Sequence, residues 1–290
     1  MIWEWIGKGE IIMKNVLECK GELVSVNGHN IHVYRQGDSN KPKIVLMSGS
    51  GAVAPVYDFK VLYEKLADDF RVIVIEKFGY GYSDIYETHC DIDNLVSVQK
   101  EVLEKLGEKG PYILAPHSMS GLEAIRWKQN YPEDVCAIIG LDMAVPSVYQ
   151  SWTDTELLRR IKFMEKARKY KLQKLPLVCA GIKQCLSEDE VKQQKLLRKR
   201  NAFNSCYINE AKEVLKNADI VDAAGEIECP ALLFTSNGKQ TSSGWVEHQK
   251  NFASGMKAKL ICFDCGHYIH YYKSKEICEE IKVFVSSLGR

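Results

Sequence analysis

The sequence predicts an α/β fold with a mostly parallel central sheet, and two kinds of pattern support this prediction. Residues 43–47 (KIVLM) and 71–75 (RVIVI) are unbroken, β-branched runs, typical of parallel strands buried on both faces. The segment between them, VYDFKVLYEKLADDF, repeats apolar residues at helical spacing. A strand, a helix and a second strand in this order predict a β-α-β crossover unit.

The other elements extend this alternation in both directions. Before the first parallel strand, residues 22–34 alternate apolar and polar side chains around Asn27-Gly28, which predicts an antiparallel hairpin. After the second, apolar runs alternate with amphipathic segments, which predicts a sheet that grows by crossovers. The expected helices cover residues 92–106, 121–130 and 274–288, and the expected strands cover residues 112–115, 136–141, 230–236 and 258–264.

One long segment breaks the alternation. Between about Pro146 and Glu228 the sequence is charged and amphipathic and contains no convincing strand, which predicts a helical insertion. The predicted organisation is therefore an N-terminal extension (residues 1–21), a core formed by residues 22–146 and 229–290, and a helical cap at residues 147–228.

Composition excludes some classes of partner. The chain has 290 residues, with 39 Lys and Arg against 38 Asp and Glu, so its net charge of +1 does not favour nucleic acid as a partner.

The cysteines and the hydropathy indicate the location. Ten cysteines are scattered without a regular framework, which favours reduced thiols and a cytoplasmic location. No window supplies the ~18 uninterrupted apolar residues of a spanning helix, so we expect no membrane span. The oligomeric state is left open.

The segment ILAPHSMSGLEAI, residues 113–125, begins as a buried strand and ends as a helix, with Ser118 between the two. A nucleophile on a sharp strand-to-helix turn needs small neighbours two residues away, usually in a G-x-S-x-G pattern. Here Pro116 and Ser120 occupy the positions of the two glycines. An isolated serine at this point could instead be a helix N-cap. Because the motifs described below accompany this serine, we interpret Ser118 as the nucleophile.

This elbow, the loop SGSGAVAP after the strand at residues 43–47, and the phrase CGHYIHYY near the C-terminus resemble the α/β-hydrolase superfamily over about residues 22–288. The resemblance implies an α/β-hydrolase fold with a helical cap inserted after strand 6. It also implies a serine hydrolase that acts on a small-molecule acyl substrate without a cofactor. In this family the catalytic histidine follows the last strand, which identifies His267 as the general base. We expect His270, one helical turn away, to be structural or to line the pocket, and His117 to pack under the sheet.

The same resemblance locates an oxyanion hole. One donor is the amide of Met119, which lies at the start of a helix, where unpaired amides favour a developing negative charge. The second donor is expected from the loop after the strand at residues 43–47, where glycines let the backbone turn its amides toward the substrate. Either Ser50 or Gly51 fits this role.

The triad acid is the least obvious member. The loop after the penultimate strand, FTSNGKQTSSGWVEHQ, usually carries it, but here Asn237 lies at that turn and no carboxylate appears before Glu247. An asparagine could orient the histidine but could not stabilise an imidazolium. Asp142 ends the preceding strand, and the order Ser118, Asp142, His267 is that of the superfamily. We predict Asp142 as the acid and Glu247 as the alternative.

Two further residues are candidates for substrate contact. Glu76 ends a predicted strand, in the turn EKFGYGYSD, where ligands of α/β folds bind. Trp152 belongs to a set of apolar cap residues that could roof a pocket or form the core of the cap. The other members of that set are Phe163, Met164, Phe203 and Tyr207.

A metal site is the competing interpretation of the C-terminal motif. Cys262, Cys265, His267 and His270 offer four possible zinc ligands, but a closed zinc site normally joins two separated pairs, so we predict no metal.

The preferred function is hydrolysis of a carboxylic ester. One alternative is an amide or peptide hydrolase of the same fold. The other is a ligand-binding pseudoenzyme without turnover. The replaced glycines at the turn and the missing carboxylate after the penultimate strand are consistent with the pseudoenzyme.

Overall fold

The computed structural model describes residues 21–172 and 185–289. Within these residues, eight strands form one sheet in the order β1-β2-β4-β3-β5-β6-β7-β8. The strands are β1 (Glu22–Val26), β2 (His29–Gln36), β3 (Lys43–Met47), β4 (Arg71–Glu76), β5 (Tyr112–Pro116), β6 (Val135–Leu141), β7 (Ala231–Thr235) and β8 (Lys259–Cys262).

The sheet is mixed, with parallel pairing from β4 through β3 to β8. β1 pairs antiparallel with β2, and β2 pairs antiparallel with β4. The hairpin prediction is confirmed: Asn27 and Gly28 both have positive φ angles, 52° and 77°, as a tight two-residue hairpin turn requires. Because the remaining strands are parallel, the residues that follow β3, β5, β6 and β7 meet at one edge of the sheet.

Helices cover both faces of the sheet, as the sequence predicts. Those between consecutive strands are α1 (Pro55–Asp58), α2 (Lys60–Leu66), α3 (Ile92–Lys105), α4 (Ser120–Asn130) and α9 (Trp245–Gly255), and the C-terminal helix is α10 (Ile269–Leu288). The C-terminal helix includes residues 269–272 before its expected start, but Lys273 has non-helical φ and ψ angles of −129° and 24°, so a kink separates this first turn from the predicted helix at residues 274–288.

Between β6 and β7, the described residues form helices joined by loops and contain no strand. The helices are α5 (Pro146–Gln150), α6 (Asp154–Lys169), α7 (Glu188–Asn201) and α8 (Ser205–Ala223). Thr153 and Ser187 start α6 and α7 with reciprocal capping boxes, which satisfy the first backbone amides of each helix. Residues 173–184 of the predicted cap and residues 1–20 of the predicted extension lie outside the described residues.

Helix α7 is joined to the rest of the fold by polar contacts. Lys60 on α2 lies 2.6 Å from Glu190 on α7. The side-chain amide of Asn201 donates to the carbonyls of Val53 (2.9 Å) and Gly81 (2.7 Å).

A buried ionic cluster lies between α4 and α8. The ammonium of Lys77, directly after β4, is 2.7 Å from the carboxylate of Glu123 on α4 and also contacts that of Glu210 on α8. Gln99 donates to Glu123 (2.6 Å), and the Tyr80 hydroxyl donates to Glu210. Burial disfavours the charge on Lys77, but the two carboxylates outweigh burial and raise the pKa of Lys77. Burial raises the pKa of Glu123.

Candidate active site

Ser118 lies on a sharp turn between β5 and α4. Its φ angle of 55° lies in the left-handed region, which is costly for a residue with a side chain. Residues held in such strained conformations cluster at functional sites. The small neighbours explain how the turn forms without its usual glycines. The hydroxyl of Ser120 lies 2.8 Å from the Met47 carbonyl and 2.9 Å from the His117 carbonyl, so it supports the turn. A Cβ on Gly121 would lie 2.1 Å from the Ala144 carbonyl oxygen, so glycine is needed at that position.

The structure brings Ser118, His267 and Asp142 into one hydrogen-bonded chain. Nε2 of His267 is 2.9 Å from the Oγ of Ser118, and Nδ1 of His267 is 2.6 Å from Oδ2 of Asp142. The Asp142 side chain is fully buried, whereas that of His267 is 16% exposed. With its proton on Nδ1, the imidazole donates to Asp142 and can accept the hydroxyl proton of Ser118.

Asp142 and Ser118 are also linked through the backbone. The Ser118 amide donates to the Asp142 carbonyl at 3.3 Å, and the Ala144 amide donates to the Ser118 carbonyl at 2.7 Å. These bonds extend the β5–β6 pairing beyond the last residues of both strands. The ends of two adjacent strands therefore set the separation between the serine and the carboxylate.

The second oxygen of Asp142 accepts three hydrogen bonds. Its donors are the Trp245 indole (2.7 Å), the Ser236 amide (2.9 Å) and the Thr235 hydroxyl (3.1 Å). Three donors compensate for the burial of the carboxylate, since hydrogen bonds to the charged form favour it.

The alternative residues for the acid lie elsewhere. The Asn237 amide donates to Asp264 at 2.9 Å. Glu247 lies on the exposed side of α9. Because both ring nitrogens of His267 are engaged by Ser118 and Asp142, the geometry favours Asp142.

Two other histidines pack behind His267. His117 is buried, and its Nε2 lies 3.3 Å from the His267 carbonyl oxygen. Burial, together with the neighbouring His267 and His270, lowers the pKa of His117 well below its usual value. His270 is fully buried against Phe59 and Tyr271, and burial with the nearby His267 lowers its pKa to about 3. Both rings therefore stay neutral, which fits the packing roles expected for them.

The loop after β3 approaches Ser118 at Gly49. A Cβ on Gly49 would lie 2.5 Å from the Cβ and 3.2 Å from the Oγ of Ser118. Ser50 and Gly51 follow at the exposed tip of the turn, where Gly51 has a φ angle of 76°. The Tyr207 hydroxyl on α8 donates to the Ala52 carbonyl at 3.0 Å and so supports this loop. Met119 precedes α4, at a helix start where the first amides have no helical acceptor.

Glu76 faces the interior of the fold. It is fully buried, and its carboxylate accepts from the amides of Val56 (2.9 Å) and Tyr82 (2.7 Å) and lies 2.9 Å from Nδ1 of His32. These contacts join three segments of the core. They favour a structural role for Glu76 over the substrate contact considered from the sequence.

The apolar cap residues do not share one environment. Trp152 is partly buried, packs edge-on against Tyr149 at 5.3 Å, and has the Arg160 guanidinium over its ring at 4.4 Å. Phe163 is 60% exposed. Met164 and Phe203 are partly buried, and Tyr207 is buried.

Within residues 21–172 and 185–289, no group of three or more His, Cys, Asp or Glu side chains could hold a metal ion. In the same part of the chain, no helix combines the length and apolar character needed to cross a bilayer.

Sequence reasoning missed two side chains of this site, Thr235 and Trp245. Gly49 is one of the two glycines expected to turn the loop after β3, but its packing against Ser118 was not predicted. Trp245 and Thr235 donate hydrogen bonds to Asp142 although more than ninety residues separate them from it in the sequence. No local sequence pattern predicts such contacts.

No protein-family model matches the chain. Among curated proteins, the uncharacterized protein YbdG of Bacillus subtilis is 42% identical over 137 residues, which is 47% of this chain and 42% of the relative. Epoxide hydrolase 1 of Caenorhabditis elegans is 28% identical over 148 residues, or 48% of this chain and 36% of the relative. The matches therefore span less than half the length of these relatives.

Solved structures match over most of the chain. A loop variant of the haloalkane dehalogenase from Bradyrhizobium elkanii has a TM-score of 0.67 at 16% identity, covering 92% of this chain and 96% of its own. The enol-lactonase from Burkholderia xenovorans has a TM-score of 0.66 at 15% identity, covering 91% of this chain and 100% of its own. At such identities the likeness concerns the fold, and the chain has the α/β-hydrolase fold.

Proposed function

We propose that the protein is a serine hydrolase that cleaves a carboxylic ester or a related acyl bond through an acyl-enzyme. The observation that carries this proposal is the continuous chain of hydrogen bonds from Asp142 through His267 to Ser118. Ser118 is the nucleophile, His267 the general base and Asp142 the acid that orients it.

The proposed reaction has two halves. His267 accepts the proton of Ser118 as the Oγ attacks the acyl carbon, and Asp142 stabilises the imidazolium. His267 then gives this proton to the leaving oxygen, whose bond to the acyl carbon breaks. In the second half, His267 takes a proton from water, the hydroxide attacks the acyl-enzyme, and Ser118 leaves with the proton returned to it.

We propose that the oxyanion of both tetrahedral intermediates is held by the amide of Met119 and by an amide of the Ser50–Gly51 turn. Preorganised backbone donors are effective because they need no reorganisation as charge develops. The packing of Gly49 against Ser118 supports this assignment, since it brings the turn next to the nucleophile.

The identity of the nucleophile argues for acyl substrates over the other substrate classes named for similar proteins. If Ser118 displaced a halide or opened an epoxide, it would form an alkyl ether, which has no carbonyl carbon for water to attack. If it attacks an ester or lactone, it forms an acyl ester that activated water can cleave. The enol-lactonase is therefore the more relevant neighbour for the reaction.

We propose further that α5–α8 form a cap over the substrate site, corresponding to residues 147–228, on a core of residues 22–146 and 229–290. The contact of Tyr207 with the loop beside Ser118 supports this assignment. Phe203, next to α8, is a candidate for contact with the apolar part of a small acyl substrate, and so is Trp152.

The proposal is tested by treating the purified protein with a fluorophosphonate probe. We expect stoichiometric labelling of wild type and none of Ser118→Ala, because phosphonylation needs an activated serine. Intact mass and peptide mapping locate the adduct. Turnover of p-nitrophenyl acetate and butyrate is measured in parallel, with 1-chlorobutane as the comparison substrate.

Two outcomes would contradict the proposal. Absence of a Ser118-dependent adduct on folded wild-type protein would favour a binding protein without turnover. Release of chloride without any ester hydrolysis would contradict the acyl-substrate assignment.

Gly49→Ala is expected to lower kcat/KM for esters by about 10²-fold, because the new methyl group must displace either the loop or the nucleophile by a large fraction of an ångström. Steady-state ester kinetics measure this loss. Gly255→Ala is the matched control, since its nearest neighbouring atom lies 3.8 Å from the added methyl position. Equal kinetics in wild type and Gly49→Ala would contradict the close approach of Gly49 to Ser118.

A further inference from the structure

Helix α9 follows the loop after β7, the loop in which a carboxylate is missing. Instead of an acid, this part of the chain presents Trp245, the first residue of α9, to the carboxylate that follows β6. Trp245 is 5% exposed, so its indole N–H is directed into the protein.

The indole contacts two members of the Ser118–His267–Asp142 chain. Its Nε1 lies 2.7 Å from Oδ1 of Asp142, and its ring lies 5.5 Å from the His267 ring, almost perpendicular at 86°. A charge-assisted hydrogen bond of this length is among the stronger kinds in proteins. Since Asp142 uses its other oxygen for His267, Trp245 holds the carboxylate from the opposite side.

Two more side chains of α9 hold the segment that follows Asp142. Nδ1 of His248 is 3.0 Å from the Ser147 hydroxyl, and the Gln249 amide donates to the Met143 carbonyl. These contacts fix the backbone on which Asp142 lies. They do not touch the carboxylate itself, so the effect of Trp245 can be separated from theirs.

We propose that Trp245 is a positioning residue, which fixes the orientation of Asp142 and draws charge from it, and so sets how strongly His267 holds a proton. This inference rests on the proposed function. It explains how Asp142, which directly follows β6, can be held in place to orient His267, although the loop after β7 provides no carboxylate.

The direction of the effect follows from electrostatics. An N–H donor on Oδ1 withdraws negative charge from the oxygen that faces His267. When this donor is removed, the carboxylate attracts the imidazole proton more strongly. The imidazole must be neutral to accept the Ser118 proton, so activity is then lost at a higher pH than in wild type.

The test is the pH profile of ester hydrolysis by Trp245→Phe, which keeps an aromatic ring and removes the N–H. We expect the acidic limb of kcat/KM to move upward by about half a pH unit or more, since hydrogen bonds to charged groups are strong. We expect kcat on the plateau to fall about tenfold because the imidazole is less well oriented, with KM nearly unchanged.

His248→Ala is the matched control on the same helix. It removes a contact between α9 and the segment after β6 but no donor to Asp142. We expect it to lower the melting temperature without moving the acidic limb. If Trp245→Phe and His248→Ala have the same pH profile as wild type, Trp245 has a packing role and the inference is overturned.

Thr235→Val is a second variant, for use if Trp245→Phe does not fold. It removes the weaker hydroxyl donor to the same oxygen, at 3.1 Å, and is expected to move the limb in the same direction by less. An acidic limb that stays at the wild-type pH in every variant that folds would contradict the inference.

A double-mutant cycle separates this inference from the proposed function. If Trp245 acts through Asp142, Trp245→Phe in an Asp142→Asn background is expected to cause no further loss of kcat beyond the single Asp142→Asn change. Additive losses would overturn the positioning role. Failure of wild type to label with fluorophosphonate would instead overturn the proposed function, whereas normal labelling with an unmoved limb overturns only the role of Trp245.

Discussion

Replacement of Asp142 by asparagine is expected to lower kcat for ester hydrolysis by about 10⁴-fold, as removal of the buried acid's charge and acceptor does in triad hydrolases. The donors around Asp142 explain the size of the loss. Because the Trp245 and Ser236 N–H groups require an oxygen at the Oδ1 position, the amide nitrogen of the new side chain must face His267. That nitrogen donates to Nδ1, which forces the imidazole proton onto Nε2, the ring nitrogen that faces Ser118. The imidazole then cannot accept the serine proton.

Steady-state assays with p-nitrophenyl esters measure the loss of kcat, and circular dichroism checks that the variant keeps its fold. Glu247→Gln is the matched comparison, because Glu247 is exposed on α9 and its replacement is expected to change kcat by less than about twofold. An Asp142→Asn enzyme that retained wild-type kcat, with a large loss in Glu247→Gln, would assign the acid to Glu247.

Replacement of Lys77 by methionine is expected to lower the free energy of unfolding by about 3–5 kcal/mol, because it leaves buried carboxylates without their counter-charge. Lys77 lies between Glu123 and Glu210, both of which are almost completely buried. Without the ammonium, the two carboxylates repel each other across the contact between α4 and α8. Urea denaturation followed by tryptophan fluorescence measures the change.

A neutral cluster provides the control for this prediction. The triple change Lys77→Met, Glu123→Gln and Glu210→Gln removes every charge together and is expected to recover much of the lost stability, since replacing a complete buried ionic group costs far less than breaking it. Lys105→Met, on an exposed pair with Glu101, is expected to change stability by less than about 0.5 kcal/mol. A stability loss in Lys77→Met no larger than in Lys105→Met would contradict the central role of the cluster.

Much of this fold could be predicted because its information is local. Unbroken β-branched runs identify β3 and β4, and Asn27-Gly28 identifies the first hairpin, without knowledge of any distant contact. The turn at Ser118 is also local, since a strand, small residues and a helix follow one another within thirteen residues. For the same reason, Ser118 could be proposed as the nucleophile although the usual glycines are replaced.

The less predictable features depend on contacts between distant parts of the chain. Glu76 follows a strand and looks available to a ligand in the sequence, but its acceptors are satisfied by amides of two other segments. The Lys77 cluster joins residues more than a hundred positions apart, so its partners cannot be chosen by spacing. The bond between Trp245 and Asp142 also joins distant parts of the chain. Sequence reasoning could therefore propose Asp142 as the acid, with Glu247 as the alternative, but could not say what holds the Asp142 carboxylate.

The backbone bonds between the turn at Ser118 and the segment after β6 limit how the site can come apart. Ser118 donates to the carbonyl of Asp142 and accepts from the amide of Ala144, so we expect the proposed nucleophile and the proposed acid to belong to one unit of local unfolding. An opening that breaks these two bonds would release both strand ends together. Loss of ester hydrolysis on heating, below the temperature of global unfolding, would then report the opening of these strand ends.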